Sequence, residues 1–259
     1  MSTLRNKFDL EAANAPERSS PKLSPQSGSS QWAVELKHVS KTYRTGPIEV
    51  PALRDISLQI APGEFVATAG PSGSGKTTLL NVIGGLDRAD EGEVSVAGQN
   101  LQFLSKAELA RLRLNRIGFV FQTYNLLPVL TAFENAEFTL LLQGIPSQTR
   151  KDRVLKLFMD IGLAGLEDRR PADLSGGQQQ RVAVARAMVT EPALILADEP
   201  TANLDSVTAI SLLEVMERLN QATGTTFVFS THDPQVMERA HRMIRLRDGR
   251  IVSDDRRDS

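Results

Sequence analysis

The 259-residue chain contains no cysteine. Disulfides, thiolate metal sites and cysteine nucleophiles are thereby excluded. Long apolar runs are missing too. The longest stretch unbroken by a polar residue or glycine is Ala193–Ala197, far short of the roughly 20 residues that span a bilayer as a helix. There is no excess of charge of either sign: Lys and Arg total 30, Asp and Glu total 31, and the net charge is -1. That balance gives no whole-chain electrostatic reason to expect nucleic acid as a partner. Nor is there an internal repeat, or near the N-terminus the continuous apolar stretch of a secretory signal. What is present is ordinary globular usage, 41% hydrophobic and 24% charged, sufficient for a sizeable core in one large domain or one plus an insert. These features describe a soluble, intracellular protein and name no activity.

Residues 1–31 stand apart. Ser19–Ser30 is rich in Ser and Pro and poor in apolar groups, so residues 1–31 are expected to be a disordered leader. The ordered domain is expected over 32–253, with a charged tail at 254–259. Short strand-like runs occur at Val34–Val39, Ile56–Ile60, Phe65–Ala69, Gly92–Ala97, Ile117–Phe121, Ala193–Ala197, Thr226–Ser230 and Met243–Leu246, with Arg250–Val252 as a hairpin partner. Helical patterns occupy Thr77–Leu86, Lys106–Leu114, Gln178–Val189, Ser206–Ala222 and Pro234–Ala240. Alternating strands and helices predict an α/β fold with a mostly parallel core sheet. The strands before the first helix predict an added antiparallel layer. Thr131–Leu142 and Thr149–Ile161 are consecutive helix patterns with no strand between them, which predicts a small helical insert over about 123–171.

Gly70-Pro71-Ser72-Gly73-Ser74-Gly75-Lys76-Thr77 fits the pattern G-x-x-x-x-G-K-[ST] in full. It follows an apolar strand and opens a helix, the context a phosphate loop requires. Glycines let backbone N–H groups curl around a phosphate, and the helix N-terminus adds positive potential. Lys76 brings a point charge to the β- and γ-phosphates of a nucleotide, the Thr77 hydroxyl suits Mg²⁺, and Thr78 lies beside them. A second apolar strand ends in Asp198-Glu199. Carboxylates at such a strand end can hold hydrated Mg²⁺ (Asp198) and polarise an attacking water (Glu199). Further along, Leu174-Ser175-Gly176-Gly177-Gln178 precedes a helix. Its glycine-rich start and serine hydroxyl make a second anion-binding surface, although Ser175 also reads as a plain N-cap with the glycines forming the turn.

That five-residue string resembles the signature of ATP-binding cassette (ABC) ATPases, a branch of the P-loop NTPases. Other parts of the family pattern follow in order over about Val34–Val252. The resemblance implies that Gln122 links Mg²⁺ and the attacking water to the insert. It also implies that Asn203-Leu204-Asp205 crosses between two ATPase subunits, that His232 contacts the γ-phosphate, and that Tyr43 stacks on adenine. Two domains would pack head to tail, with ATP on one phosphate loop closed by Ser175 and Gly177 of a second copy. Asn81–Arg88, Arg116–Gln122 and Asn125–Pro128 resemble the bacterial branch of lipoprotein-releasing and macrolide-export ATPases. An integral-membrane permease is then the implied partner, contacted through the insert and Thr123–Pro128, which would place the chain peripherally on the cytoplasmic face of the inner membrane. Two other readings stay open: a mechanical signal sent through a permease-like partner without cargo, and a soluble ABC ATPase of DNA repair or translation. The short span between Gln122 and Ser175 and the single copy of each motif disfavour the last.

Overall fold

Phe65-Val66-Ala67-Thr68-Ala69 is buried at every position, as a strand must be when both faces of its sheet are covered. It lies third from one edge of a six-stranded sheet in a computed structural model that describes residues 31–257. The leader expected over 1–31 falls, apart from Gln31, outside the described residues, as do the last two residues of the expected tail. In chain order the elements are β1 (Val34–Thr45), β2 (Ile48–Ile60), β3 (Phe65–Ala69), α1 (Lys76–Ile83), β4 (Glu91–Val96), β5 (Gln99–Asn100), α2 (Lys106–Arg116), β6 (Ile117–Phe121), α3 (Ala132–Leu142) and α4 (Ser147–Asp160). The second half comprises α5 (Gly176–Met188), β7 (Leu194–Asp198), α6 (Ser206–Thr223), β8 (Thr226–Thr231), α7 (Pro234–Arg239), β9 (Arg242–Arg247) and β10 (Arg250–Arg256). The large sheet has order β10-β9-β3-β8-β7-β6, parallel throughout except for the β9–β10 hairpin.

Side-chain alternation divides the core in two. Phe65, Phe227, Phe229, Ile195, Ala197 and Val120 point toward α3, α4, α5 and α6. Val66, Val228, Leu194, Leu196 and Ile244 point the other way, onto α1, α2 and a four-stranded antiparallel sheet of order β2-β1-β4-β5. This second sheet differs from the expectation in two respects. Half of it, β4 and β5, follows the first helix. The β1–β2 hairpin also continues well past Val39, because register shifts between Leu36 and Thr42 break the period-two pattern that would have marked the strand. Helix α1 stops at Ile83 rather than Leu86, since Gly84 and Gly85 follow and a Cβ on Gly84 would lie 2.7 Å from the Phe119 ring.

At the other edge β10 runs to Arg256, three residues beyond the expected domain end at 253. The reason is an ion network. Buried Arg242 donates to both oxygens of Asp254 at 2.7 Å and to Glu64 Oε2 at 2.8 Å. These bonds raise the guanidinium's already high pKa further, and the ring of acceptors ties the last strand to the chain before β3. Among the described residues no helix is long and apolar enough to cross a membrane.

Candidate functional site

Four neighbouring parallel strands end level with one another, and the residue after each end is one singled out from the sequence. Ala69 pairs with Thr231, Ser230 with Asp198, and Asp198 with Phe121. Gly70, His232, Glu199 and Gln122 therefore leave the same edge of the sheet, the carboxyl edge where open α/β sheets hold ligands.

The phosphate loop connects β3 to α1. Gly75 takes φ 103°, and a Cβ there would collide with the Ala52 carbonyl, so the loop closes only with glycine at this point. Lys76 is buried and donates from Nζ to the Gly70 carbonyl at 2.8 Å and the Pro71 carbonyl at 3.1 Å. Its ammonium thus lies inside the loop's curve. The Ser74 hydroxyl is buried without a hydrogen-bond partner. Thr77 Oγ1 donates to Asp198 Oδ1 at 3.3 Å, which joins the loop to the end of β7. Thr77 and Asp198, with Gln122 leaving the neighbouring strand end, offer oxygen donors of the kind Mg²⁺ takes. Among the described residues no cluster of three or more His, Cys, Asp or Glu could hold a metal unaided. An ion here would need oxygens from a phosphate ligand, which is how Mg²⁺ is usually held at nucleotide sites. The residues therefore fit a magnesium nucleotide.

Glu199 adopts φ 47°, a left-handed conformation uncommon for a residue with a side chain. Its N–H donates to the Ser230 carbonyl at 2.8 Å, the bond that closes the ladder between β7 and β8. Glu199 Oε1 then lies 2.8 Å from His232 Nδ1. A carboxylate only accepts, so the imidazole carries its proton on Nδ1 and leaves Nε2 free of this contact. Glu199 is 17% exposed and His232 73%, so the pair has a sheltered carboxylate and an open ring. Asp233, not singled out from the sequence, caps α7 and accepts from Thr201 Oγ1 at 2.7 Å, bracing the segments after β7 and β8 together.

Ser175, Gly176, Gly177 and Gln178 form a separate locus at the start of α5. Ser175 and Gln178 exchange side-chain and backbone bonds in a complete capping box. A Cβ on Gly177 would collide with Thr208, and one on Gly176 would sit 2.9 Å from the Tyr124 hydroxyl. Asp205 caps α6 through the N–H groups of Val207 and Thr208 and accepts the Thr208 hydroxyl at 2.6 Å. The Thr208 hydroxyl and N–H bonds hold its carboxyl below the usual range. Among the described residues no hydrogen bond joins 175–178 to the phosphate loop.

Two side chains of α5 that the sequence did not mark connect the loci. Gln180, fully buried, donates from Nε2 to the Phe121 carbonyl at 3.3 Å and the Pro200 carbonyl at 2.7 Å. Arg186, whose pKa is lowered by burial, donates to the carbonyls of Tyr124 and Asn125 at 2.9 and 2.6 Å, two consecutive residues with φ near 50°. Asn203 Nδ2 donates to the Gln122 carbonyl at 2.9 Å. Buried Asn135 bonds Leu127, Leu130 and Thr131 backbone groups and shapes the loop after Gln122. Tyr43, on β1, lies near Thr78 of α1 and donates its hydroxyl to Asp87 at 2.8 Å.

Comparison with known proteins adds to this geometry. Residues 53–202 match the family model described as ABC transporter. An uncharacterized ABC transporter ATP-binding protein of Thermotoga maritima is 46% identical over 86% of this chain and 95% of its own length. The macrolide export ATP-binding/permease protein MacB of Syntrophobacter fumaroxidans is 49% identical over 84% of this chain, but the match spans only 31% of that protein. Among solved structures, a dimeric post-hydrolysis state of the cassette MJ0796 from Methanocaldococcus jannaschii, bound to ADP and Pi, superposes with a TM-score of 0.81. It is 42% identical and covers 87% of this chain and 99% of its own. With the phosphate loop, the acidic strand end and the serine-capped glycine turn in one α/β fold, the chain belongs to the ABC transporter family of P-loop ATPases.

Proposed function

We propose that this chain is the ATP-hydrolysing subunit of a bacterial membrane transport complex, working as a head-to-tail pair with a second copy and driving a separate permease. The observation that carries the reading is the split site. Lys76, Thr77, Asp198, Glu199, Gln122 and His232 share one sheet edge, whereas Ser175–Gln178 are held on another helix without a bond to the phosphate loop.

In this reading residues 70–77 bind the triphosphate with backbone N–H groups and the Lys76 ammonium. Thr77, Asp198 and Gln122 would hold Mg²⁺ with the substrate's own phosphate oxygens, and the ion supplies charge neutralisation there. Glu199 accepts a proton from water as the water oxygen bonds to the γ-phosphorus and the bond to the bridging oxygen breaks, so ADP leaves with the electron pair. His232 keeps the carboxylate of Glu199 aimed, and its exposed ring edge faces the developing phosphate. Ser175 and the N–H groups of Gly176 and Gly177 from the second copy complete the anion site. The loop after Gln122 exposes Leu127 and Val129, apolar groups suited to a permease surface, and this contact would hold the chain at the inner membrane. The balanced charge of the chain fits recruitment by a protein surface and supplies no whole-chain attraction to nucleic acid.

The test is sedimentation of the full chain carrying Glu199→Gln, with and without ATP and Mg²⁺. An ATP-dependent dimer is expected, and adding Lys76→Ala abolishes it. A Glu199→Gln chain that stays monomeric at saturating ATP overturns the split-site reading. The transport reading is tested separately, by purification from membranes. A partner with few membrane helices supports it, and a native chain that never sediments with membranes removes it.

A further inference from the structure

Asp87 belongs to the string Gly84-Gly85-Leu86-Asp87-Arg88, which the hydrolytic scheme leaves without a task. Its position follows from the helix before it. Helix α1 starts at Lys76, inside the phosphate loop, and ends at Ile83. Gly85 then takes φ 61°, and the N–H groups of Leu86 and Asp87 both return to the Asn81 carbonyl, at 2.9 and 3.1 Å. Asp87 is thus fixed to the far end of the same short helix whose first turn makes the phosphate cradle.

The Asp87 carboxylate meets two residues of β1. It accepts the Tyr43 hydroxyl at 2.8 Å on Oδ2, and its Oδ1 lies 3.1 Å from Lys41 Nζ. Lys41 is held again by Asp90 at 3.2 Å, and its ammonium sits 5.5 Å from the centre of the Tyr43 ring. Asp90 also accepts the Thr42 N–H at 2.7 Å, so the backbone beside Tyr43 is anchored as well. Near the phosphate end, the Tyr43 phenol also meets Thr78 on the first turn of α1. A ring on the antiparallel sheet is thereby referenced, through its hydroxyl, to the helix that starts in the phosphate loop. Tyr43 as a whole stays 39% exposed, accessible to a flat ligand.

We infer that Asp87 is a positioning residue for the nucleobase: by holding the Tyr43 hydroxyl it presets the aromatic platform relative to the phosphate cradle for a purine nucleoside triphosphate. The inference rests on Tyr43 being the adenine-stacking residue. A preset platform spends no binding energy on ordering the ring. Removing the tether therefore weakens ligands that carry a base and spares ligands that carry only phosphates. Lys41 supports the arrangement, and Asp90 shares that support, so Lys41 keeps a carboxylate partner when Asp87 is replaced.

The test is equilibrium binding to the full chain, with Mg²⁺, of ATP and of inorganic tripolyphosphate, each by competition against a fluorescent ATP analogue. Tyr43→Phe and Asp87→Ala are each expected to weaken ATP about fivefold to tenfold, the size of one ordinary lost hydrogen bond. The double variant is expected to be no weaker than either single one, because both remove the same contact. Tripolyphosphate should bind all three like the parent chain. Equal weakening of ATP and tripolyphosphate by Asp87→Ala overturns the inference in favour of general support of the phosphate loop. Additive losses in the double variant overturn it too, since the two residues would then act separately. Tyr43→Ala separates the layers: if removing the ring leaves ATP affinity unchanged, the stacking role of Tyr43 fails and the inference fails with it. If Tyr43→Ala weakens ATP while Tyr43→Phe and Asp87→Ala do not, stacking stands and the tether falls.

Discussion

The strand-end locus and the glycine-turn locus are built on opposite principles. At the strand ends the polar groups are under-committed. The Ser74 hydroxyl has no partner, Lys76 turns onto carbonyls of its own loop, and Glu199 sits at a positive φ. Such features belong to groups organised for a ligand more than for folding. At residues 175–178 the side chains are committed, to one another and to the turn. Ser175 and Gln178 cap each other, Asp205 caps its helix three ways, and the glycines lie where side chains would strike Thr208 and Tyr124. One locus presents polar groups without a full set of partners, and the other is a capped and closely packed surface. A surface completing a phosphate site from a second chain has to be rigid beforehand, since anything loose would have to be ordered at closure.

The largest effect that can break this contrast is at Glu199. Glu199→Gln keeps the shape and an oxygen acceptor for His232 while removing the carboxylate proposed as the base. Phosphate release is expected to fall by at least about 100-fold, the usual contribution of a general base, with ATP still bound. Turnover close to that of the parent would mean that the left-handed carboxylate is not the reactive group. The strand-end locus would then lose its defining member.

Gln180 sharpens the contrast from the glycine-turn side. Its amide orientation is set by two carbonyl acceptors, so turning it over would oppose oxygen to oxygen. Gln180→Leu leaves the carbonyls of Phe121 and Pro200 without this donor in a dry site, at a cost of about 1–3 kcal/mol in chemical denaturation. Both carbonyls lie beside reactive-locus residues, Gln122 and Glu199, so turnover should fall more than ATP affinity. A variant that loses stability but keeps kcat would show that α5 braces the fold without positioning the reactive edge.

Gly177 asks whether that surface is glycine for packing or for contact. Gly177→Ala should cost about 1–3 kcal/mol, because Thr208 has to move. Thr208→Ser removes the offending methyl and keeps the hydroxyl that Asp205 accepts. The double variant should recover most of the melting temperature. If it also recovers ATPase activity, packing explains the glycine. If activity stays low in a stable protein, the bare backbone is needed for the second copy's nucleotide.

Much of this was readable from residues alone, for reasons that differ by element. The phosphate loop, Asp198-Glu199 and the core strands are local patterns, an apolar run followed by a turn of defined chemistry, and short-range patterns survive without tertiary knowledge. The β1–β2 hairpin was legible only in part, since its bulges shift side chains from one face to the other and erase the alternation. Gln180, Arg186 and Asp233 were invisible because each acts across a gap that only the fold closes. Gln180 lies 59 residues from Phe121, and Thr201 32 from Asp233. A glutamine or an arginine within an amphipathic helix gives no sign that it faces inward. Asp87 was quoted for its string and not for its chemistry, because its partner Tyr43 is 44 residues away on β1.

Asp205 gives the smallest effect and a direction that is fixed in advance. The resemblance made it part of a crossing between subunits, whereas within the chain it is a helix cap whose oxygens are already taken. Its carboxyl is held low chiefly by the Thr208 hydroxyl, with the N–H groups of Thr208 and Val207 adding to it. A depressed acid in the folded chain stabilises above its unfolded pKa, and the contribution fades as pH falls through the lower folded value. Parent and Asp205→Ala chains should therefore differ slightly in melting temperature at neutral pH and converge in acid, below the usual carboxylate range. Asp205→Asn should lie between them and show less of this pH dependence, since its amide oxygen still accepts. A constant gap across that range would mean that the carboxylate's charge does not support the cap. If instead ATP-dependent dimerisation drops while the melting curves coincide, Asp205 serves the second copy more than its own helix, and the fully committed character of this locus would end at residue 205.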